Sequence, residues 1–152
     1  MTFTLKPIGR VSSARAEIKD DDWGGVTARI KLEPWLSAEA LVGLKQFSHA
    51  EILFVFDQVE DAKIELTARH PRNNEAWPKV GIFAQRGKGR PNRIGVTVCR
   101  LLAVEGTVLK VRGLDAIDGT PVLDIKPVMT GFLPRGAVRE PQWAREIMKE
   151  YW

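Results

Sequence analysis

Short apolar runs, separated by turn residues at close intervals, limit the folds open to this chain. Runs of this kind are typical of β-strands, and we predict strands at 3–11, 26–32, 51–56, 63–68, 80–84, 95–104, 107–111 and 121–125. The strands do not alternate with long helical patterns, which disfavours a doubly wound α/β sheet. Many short strands with few helices predict an all-β fold, a small closed or nearly closed barrel.

Two segments carry helical signals. Ser37 is a favourable N-cap residue, which predicts a short helix over 37–44, after the second strand. Near the end of the chain, Pro141 occupies an expected first helical position. Trp143 and Ile147 follow four residues apart, so a helix there has one apolar face.

Length and cysteine content bound the class of protein. A chain of 152 residues is one ordinary domain that can bury a core without disulfides or metal. The longest apolar run, 52–56, is too short to cross a bilayer, and the N-terminus lacks the apolar core of a signal peptide. We therefore expect a cytoplasmic protein without a membrane partner. Cys99 is the only cysteine, and we predict a buried hydrophobic residue rather than a nucleophile.

The basic residues are unevenly distributed. The interval 76–104 has no Asp or Glu, and its segment 81–95 reads GIFAQRGKGRPNRIG, rich in Gly, Pro and cations. Charge of one sign on one face raises the local concentration of anions, so it favours nucleic acid or a phosphorylated ligand over a solvated loop without a partner. The segment has neither G-x-G-x-x-G nor G-x-x-x-x-G-K-[ST] spacing. A Rossmann or P-loop nucleotide site is therefore not supported.

A turn of carboxylates follows the basic segment. The sequence LDAIDGTPVLDIKP over 114–127 places Asp115, Asp118 and Asp124 around an Asp-Gly turn. An Asp at a turn commonly accepts hydrogen bonds from nearby backbone amides, and this structural role competes with a functional one. The acidic spacing matches no metal loop, and His49 and His70 are far apart, so we predict no metal site. Together, the two segments indicate a site for an anionic partner and a cationic group.

These residues carry a family resemblance. GIFAQRGKGRPNRIGVTVCRLL and LDAIDGTPVLDIKP resemble the signature of the TsaA-like family, also called TrmO-type or YaeB-like, and KPIGRVSS and LVGLKQFSHAEILFVFDQ extend the resemblance. It covers most of 5–127, which we take as the barrel core of a single domain over 1–152. Residues 128–152 then form a C-terminal extension with the helix. The resemblance implies a small β-barrel that binds S-adenosylmethionine outside any Rossmann fold, usually as a homodimer.

The resemblance also implies an activity. Characterised members of the family methylate N6 of threonylcarbamoyl-adenosine beside the anticodon of certain tRNAs, which implies a methyltransferase with S-adenosylmethionine as cofactor and tRNA as partner. Two alternatives stay open: methylation of another acceptor, and a non-catalytic module that binds S-adenosylmethionine or RNA. Three departures put the substrate in question, since Gln85, Arg93 and Val128 stand where the family usually has threonine, proline and tyrosine.

Carried over position by position, the resemblance implies two groups of site residues. The methyl donor should be bound by Trp23, Gly24, Asp57, Gln58, Phe83, Arg86, Leu101, Asp118, Gly119, Thr120 and Pro121. The acceptor should be positioned by Lys88, Arg90, Asn92, Arg93 and Lys126. Arg86 and Asp118 are the candidates for a catalytic role. Methyl transfer needs in-line placement of a nitrogen, and Asp115, Asp118 or a water is left open as the proton acceptor.

Overall fold

The computed structural model describes residues 1–152 and consists mainly of antiparallel strands. The elements are β1 (Gly9–Ser13), β2 (Thr27–Leu32), β3 (His49–Val55), β4 (Ala68–Arg69), β5 (Val80–Gly81), β6 (Ile94–Glu105), β7 (Val108–Arg112), β8 (Pro121–Pro127) and α1 (Gln142–Ile147). Six strands form a closed barrel in the order β1-β2-β7-β6-β3-β8, because β8 pairs with both β3 and β1. Strands β4 and β5 form a separate ribbon. The predicted closed all-β barrel is confirmed.

Alternation along the strands fills the barrel with apolar side chains. In β3, every second residue from Ala50 to Phe54 is buried, and β2 buries Ala28, Ile30 and Leu32 in the same way. Burying an aliphatic or aromatic side chain contributes roughly 1.5–3 kcal/mol relative to leaving it exposed. Closure also removes the free sheet edges that would otherwise pair with other chains. The inward-facing alternation therefore determines both the register and the core.

Cys99 belongs to this core. Its side chain is 1% exposed on β6. Burial, assisted by the Asp115 carboxylate, raises the pKa of the Cys99 thiol to about 12. The thiol is therefore protonated at neutral pH, and the prediction of a buried hydrophobic residue is confirmed.

Three predicted strands are wrong at least in part. The strand predicted over 3–11 begins only at Gly9, since Pro7 cannot donate a ladder hydrogen bond. The strand predicted over 63–68 is replaced by a turn, because Glu65 accepts hydrogen bonds from both the amide and the hydroxyl of Thr67. The strand predicted over 80–84 keeps only β5, and a 3₁₀ turn follows at Ile82–Ala84.

The helical predictions hold with changes of detail. Ser37 caps a 3₁₀ helix, Ala38–Leu41, through a hydrogen bond from the Glu39 amide, and Gly43 with φ of 86° separates a second 3₁₀ turn, Leu44–Gln46. Pro141 lies one residue earlier than predicted, at the N-cap of α1. No helix of the chain has the length and hydropathy needed to span a membrane.

Candidate functional site

A cleft of about 950 Å³ opens beside the barrel, a size typical of small-molecule sites. Several parts of the chain meet there. They include the start of β6, the end of β3 with residues 56–59, residues 69–73, the basic loop (residues 85–93), residues 115–120, the acidic loop (residues 18–23) and the C-terminal segment (residues 140–152). The cleft therefore brings the basic loop next to residues of the segment that follows Leu114, including Asp115 and Thr120.

Two phenylalanines form the inner wall of the cleft beneath the start of β6. Phe54 and Phe56 pack edge to face, with ring centroids 5.2 Å apart, and both border the cleft. Gly95 lies directly over them, since a Cβ on Gly95 would come within 2.5 Å of the Phe54 ring. Only glycine allows β6 to approach the aromatic pair this closely.

Gln85 anchors the basic loop to the β4–β5 ribbon. Its side chain is 7% exposed, and its amide nitrogen donates to the carbonyl oxygens of Arg69 and Val80, both at 2.9 Å. The Gln85 carbonyl in turn accepts a 2.7 Å hydrogen bond from the Arg90 guanidinium. The shorter threonine usual in the family has no amide for these two bonds, so the departure at position 85 has a structural reason.

Arg69 lies against the backbone of the basic loop. A Cβ on Gly87 would come within 3.1 Å of the Arg69 Nη2 atom, and a Cβ on Gly89 within 2.6 Å of the Lys63 carbonyl oxygen. Glycine at these two positions therefore allows the loop to pack flat beside the guanidinium.

The end of the basic loop differs from the usual family turn. Asn92 and Arg93 have φ of 63° and 51°. Proline fixes φ near −65°, so the proline common at position 93 cannot adopt this conformation. The Arg93 guanidinium forms a salt bridge with Asp61. Neither Asn92 nor Arg93 borders the cleft.

The acidic loop neutralises two cations of the cleft. The Asp21 carboxylate accepts two hydrogen bonds from Arg72, at 2.8 and 3.1 Å, and Asp20 lies 3.7 Å from the Lys88 ammonium nitrogen. The hydrogen bonds to Asp21 raise the pKa of Arg72. Lys88 is thus paired with a carboxylate, and an RNA phosphate would have to replace that partner.

The C-terminal segment packs on the acidic loop and forms one side of the cleft. The amides of Asp22 and Trp23 donate to the carbonyl oxygens of Glu150 and Tyr151, at 2.9 and 2.8 Å. Trp23 is 3% exposed, with the Arg15 guanidinium 3.6 Å above its ring. The loop expected to close over a ligand is therefore already held by the end of the chain.

A carboxylate held by two hydroxyl groups lies in this part of the cleft. Asp115 accepts hydrogen bonds from Thr97 Oγ1 through one oxygen and from the Tyr151 hydroxyl through the other, and all three residues border the cleft. Burial and the neighbouring carboxylate raise the pKa of Tyr151, so the phenol stays a donor well above neutral pH. Nothing in the sequence pairs Tyr151 with a carboxylate 36 positions away.

Tyr151 is the only tyrosine of the chain, which makes its ionisation directly measurable by ultraviolet absorbance. We expect the folded protein to form phenolate only well above the ordinary tyrosine pKa of about 10, which the urea-unfolded chain should show. Because the folded-state pKa is the higher one, this group's stabilisation is complete below pH of about 10 and is lost as the pH rises further. If the tyrosine titration had the same midpoint pH in the folded and the unfolded chain, the Tyr151–Asp115 contact would be contradicted.

The structure brings together half of the residues implied for the site. The residues that border the cleft are Trp23, Asp57, Gln58, Phe83, Arg86, Lys88, Arg90 and Thr120. The residues that do not are Gly24, Asn92, Arg93, Leu101, Asp118, Gly119, Pro121 and Lys126. The polar cleft residues that the sequence did not predict include Arg69, Arg72, Thr97 and Tyr151.

Two of the residues outside the cleft have partners that explain their positions. Asp118 accepts a 2.9 Å hydrogen bond from the Ser13 amide at the end of β1, and Gly119 follows with φ of 84°. Lys126 lies 2.5 Å from Asp124, and this hydrogen bond raises the pKa of Lys126. No group of three or more His, Cys, Asp or Glu side chains is placed to hold a metal ion.

The class defined by this geometry is a small closed barrel with a cationic and aromatic cleft beside it. The chain belongs to the family described as tRNA-methyltransferase O N-terminal domain, whose family model matches residues 20–132.

Individual relatives agree with this assignment. A human protein named tRNA (adenine(37)-N6)-methyltransferase is 44% identical over 90 residues, which are 59% of this chain and 20% of that protein. A Pyrococcus abyssi protein named probable S-adenosyl-L-methionine-binding protein is 49% identical over 61 residues, 40% of this chain and 33% of that protein. The crystal structure of TrmO from Pseudomonas aeruginosa has a TM-score of 0.72 at 33% identity, covering 91% of this chain and 62% of that one. The chain thus matches less than two thirds of each.

Proposed function

We propose that this chain is an S-adenosylmethionine-dependent methyltransferase that acts on tRNA, at N6 of threonylcarbamoyl-adenosine beside the anticodon. The observation that carries the proposal is the cleft, where aromatic walls, unpaired guanidiniums and carboxylates surround one space in a member of this family. Two relatives support the proposed acceptor and donor, since the human protein is named a tRNA (adenine(37)-N6)-methyltransferase and the Pyrococcus protein a probable S-adenosyl-L-methionine-binding protein.

The cleft offers groups suited to each part of the donor. Phe83 is 78% exposed beside the cleft and is placed to pack on a flat purine ring. Asp57 is an exposed carboxylate without a salt bridge, suited to an ammonium or ribose hydroxyl, and Arg86 suits a carboxylate. The donor supplies a methyl group activated on a sulfonium sulfur. The protein's part is placement, worth on the order of 7–11 kcal/mol in favourable cases.

The cleft favours one of the two carboxylates considered as proton acceptor. Asp115 borders the cleft, whereas Asp118 is engaged by the Ser13 amide outside it. A carboxylate has about four lone-pair sites, so Asp115 retains acceptor capacity beside its bonds to Thr97 and Tyr151. We propose that Asp115 takes the proton released from N6, directly or through a water, and that Arg86 acts on the donor.

The remaining site residues are proposed to bind the acceptor or the donor, and those outside the cleft could complete the site of a second chain. Lys88 and Arg90 border the cleft and are proposed to position the acceptor, through RNA phosphates or the threonyl carboxylate, with Asn92, Arg93 and Lys126 farther along its path. Leu101, Gly24, Gly119 and Pro121 stay proposed donor contacts, together with the cleft residues Trp23, Gln58 and Thr120. The domain is proposed to comprise a barrel core, 5–127, and an extension, 128–152.

We further propose a cytoplasmic homodimer. Support for the dimer comes from β6, where the apolar residues Ile94, Val98 and Leu102 are each more than a third exposed. Cytoplasmic location follows from the proposed tRNA substrate. A sedimentation mass of a single chain would contradict the dimer.

The proposed function is tested by following labelled methyl groups. Purified protein is incubated with methyl-labelled S-adenosylmethionine and either whole tRNA or a cell extract depleted of RNA. Label in the tRNA alone supports the proposal, and label only in the RNA-free extract favours another acceptor. Donor binding without label in either fraction favours a non-catalytic binding module. Lys45→Ala, an exposed position outside the cleft, serves as the control variant.

A further inference from the structure

Three guanidinium groups border the same cleft without a carboxylate partner in the chain. They belong to Arg69, Arg86 and Arg90, none of which forms a salt bridge. By contrast, Arg72 and Lys88 on the same cleft are neutralised by the acidic loop. Glu65 is close enough to Arg69 for a weaker charge interaction, but the three guanidiniums leave an excess of positive charge at a concave site, which attracts anions.

Gln85 connects two of the three arginines, Arg69 and Arg90, to the basic loop. The buried Gln85 amide donates to the Arg69 carbonyl, and the Gln85 carbonyl accepts from the Arg90 guanidinium. Arg86 is the next residue along the chain. Loop packing therefore fixes the Arg69 backbone and the Arg90 guanidinium, and the exposed Arg86 side chain is held by its bond to Val96; we call the three residues the arginine cluster.

Most hydrogen-bond donors of the cluster are unused. A guanidinium has five N–H donors. Arg86 uses one of them on the Val96 carbonyl at 2.7 Å, and Arg90 uses one on Gln85. The Arg69 Nε atom is buried without a partner. An atom this buried is not itself open to the cleft, so the donors available to a ligand are the remaining N–H groups of the three guanidiniums.

The carboxylates of the cleft do not supply that oxygen. Asp115 accepts from two hydroxyl groups, Asp20 pairs with Lys88 and Glu140 with Arg145, and none of the three carboxylates forms a salt bridge with the three arginines. Asp57 is exposed and forms no salt bridge with any of the three arginines. The guanidiniums thus remain available to a ligand.

We propose that Arg69, Arg86 and Arg90 form a carboxylate subsite in the cleft, with Arg69 as a binding residue. The planar forks of arginine match the two oxygens of a carboxylate. A phosphate of a nucleic-acid backbone is bonded to a nucleoside on each side, which makes it bulky. A terminal carboxylate therefore fits the partly buried Arg69 better. This inference rests on the proposed function. The carboxylate then belongs either to the amino-acid part of the methyl donor or to the amino-acid substituent of the acceptor.

Calorimetric titrations with paired ligands test the subsite. S-Adenosylhomocysteine carries the donor's carboxylate, and 5′-methylthioadenosine lacks the amino-acid part. Threonylcarbamoyl-adenosine and adenosine form the same kind of pair for the acceptor. We expect Arg69→Gln to reduce the affinity for the carboxylate-bearing ligand of one pair about tenfold. The affinity for the other ligand of that pair should stay unchanged. Arg69→Lys keeps the charge but not the fork, and Lys45→Ala controls for the loss of one positive charge.

Each outcome assigns or overturns the subsite. A carboxylate-dependent loss in the donor pair places the donor there, and the same loss in the acceptor pair places the acceptor there. Equal losses for both members of a pair, or no loss, would overturn the subsite, because Arg69 then acts only through the packing of the basic loop. Wild-type protein that binds no ligand of either pair would overturn the proposed function itself. Thermal melts of Arg69→Gln and Arg69→Lys identify a folding defect, and the folded variant is titrated.

Discussion

Replacement of Phe54 by alanine is expected to destabilise the protein by about 3–5 kcal/mol. The Phe54 side chain is 1% exposed, packs edge to face on Phe56 and supports Gly95 of β6. Its removal leaves a cavity under a strand that pairs along the whole of β3, and the tight barrel has little freedom to collapse into it. The melting temperature should fall by roughly 6–20 °C, since 1 kcal/mol corresponds to about 2–4 °C in a domain of this size.

Chemical and thermal unfolding followed by circular dichroism measure this effect. Phe132→Ala is the matched control, because Phe132 is 87% exposed and its loss should change stability by less than about 0.5 kcal/mol. A Phe54→Ala variant as stable as Phe132→Ala would show that β3 does not form the core described above.

Replacement of Arg86 by alanine is expected to leave the fold intact and to weaken donor binding about 10- to 100-fold. Hydrogen bonds to charged groups contribute about 1.5–3 kcal/mol, and each 1.4 kcal/mol is a factor of ten in affinity. The Arg86 side chain is exposed, and its one internal hydrogen bond goes to the Val96 carbonyl. The melting temperature should therefore change little.

Titration calorimetry with S-adenosylmethionine, next to a thermal melt, separates binding from stability. Arg112→Ala removes another exposed guanidinium, on β7, that does not border the cleft, so its donor affinity should equal that of the wild type. If Arg86→Ala lowered only the melting temperature and kept the wild-type affinity, Arg86 would not belong to the donor site.

The barrel was predictable because its signals are local. Alternation in β2 and the apolar run of β3 identify strands whose side chains face one core, and the turn at Gly106 joins β6 to β7 with φ of 60°. The same alternation gave a wrong strand at 63–68, because the Glu65 side chain, not a neighbouring strand, accepts the hydrogen bond of the Thr67 amide.

The site was only partly predictable because its residues come from distant parts of the chain. Arg86 and Lys88 are visible in one motif, whereas Tyr151 reaches Asp115 only through the packing of the C-terminal segment on the acidic loop. The position of Asp118 also depends on packing that the sequence does not show. Its place in a tight turn was as compatible with capping the end of β1 as with binding a ligand, and the structure shows the bond to Ser13.

Mass spectrometry of tRNA nucleosides tests the central claim most directly. Unmethylated tRNA is incubated with the purified protein and S-adenosylmethionine, digested to nucleosides and compared with tRNA from the Asp115→Asn and Lys45→Ala reactions. We expect the wild type and Lys45→Ala to convert threonylcarbamoyl-adenosine to its N6-methyl form. Asp115→Asn should convert much less of it. Unchanged threonylcarbamoyl-adenosine in the presence of a donor that binds would contradict the claim.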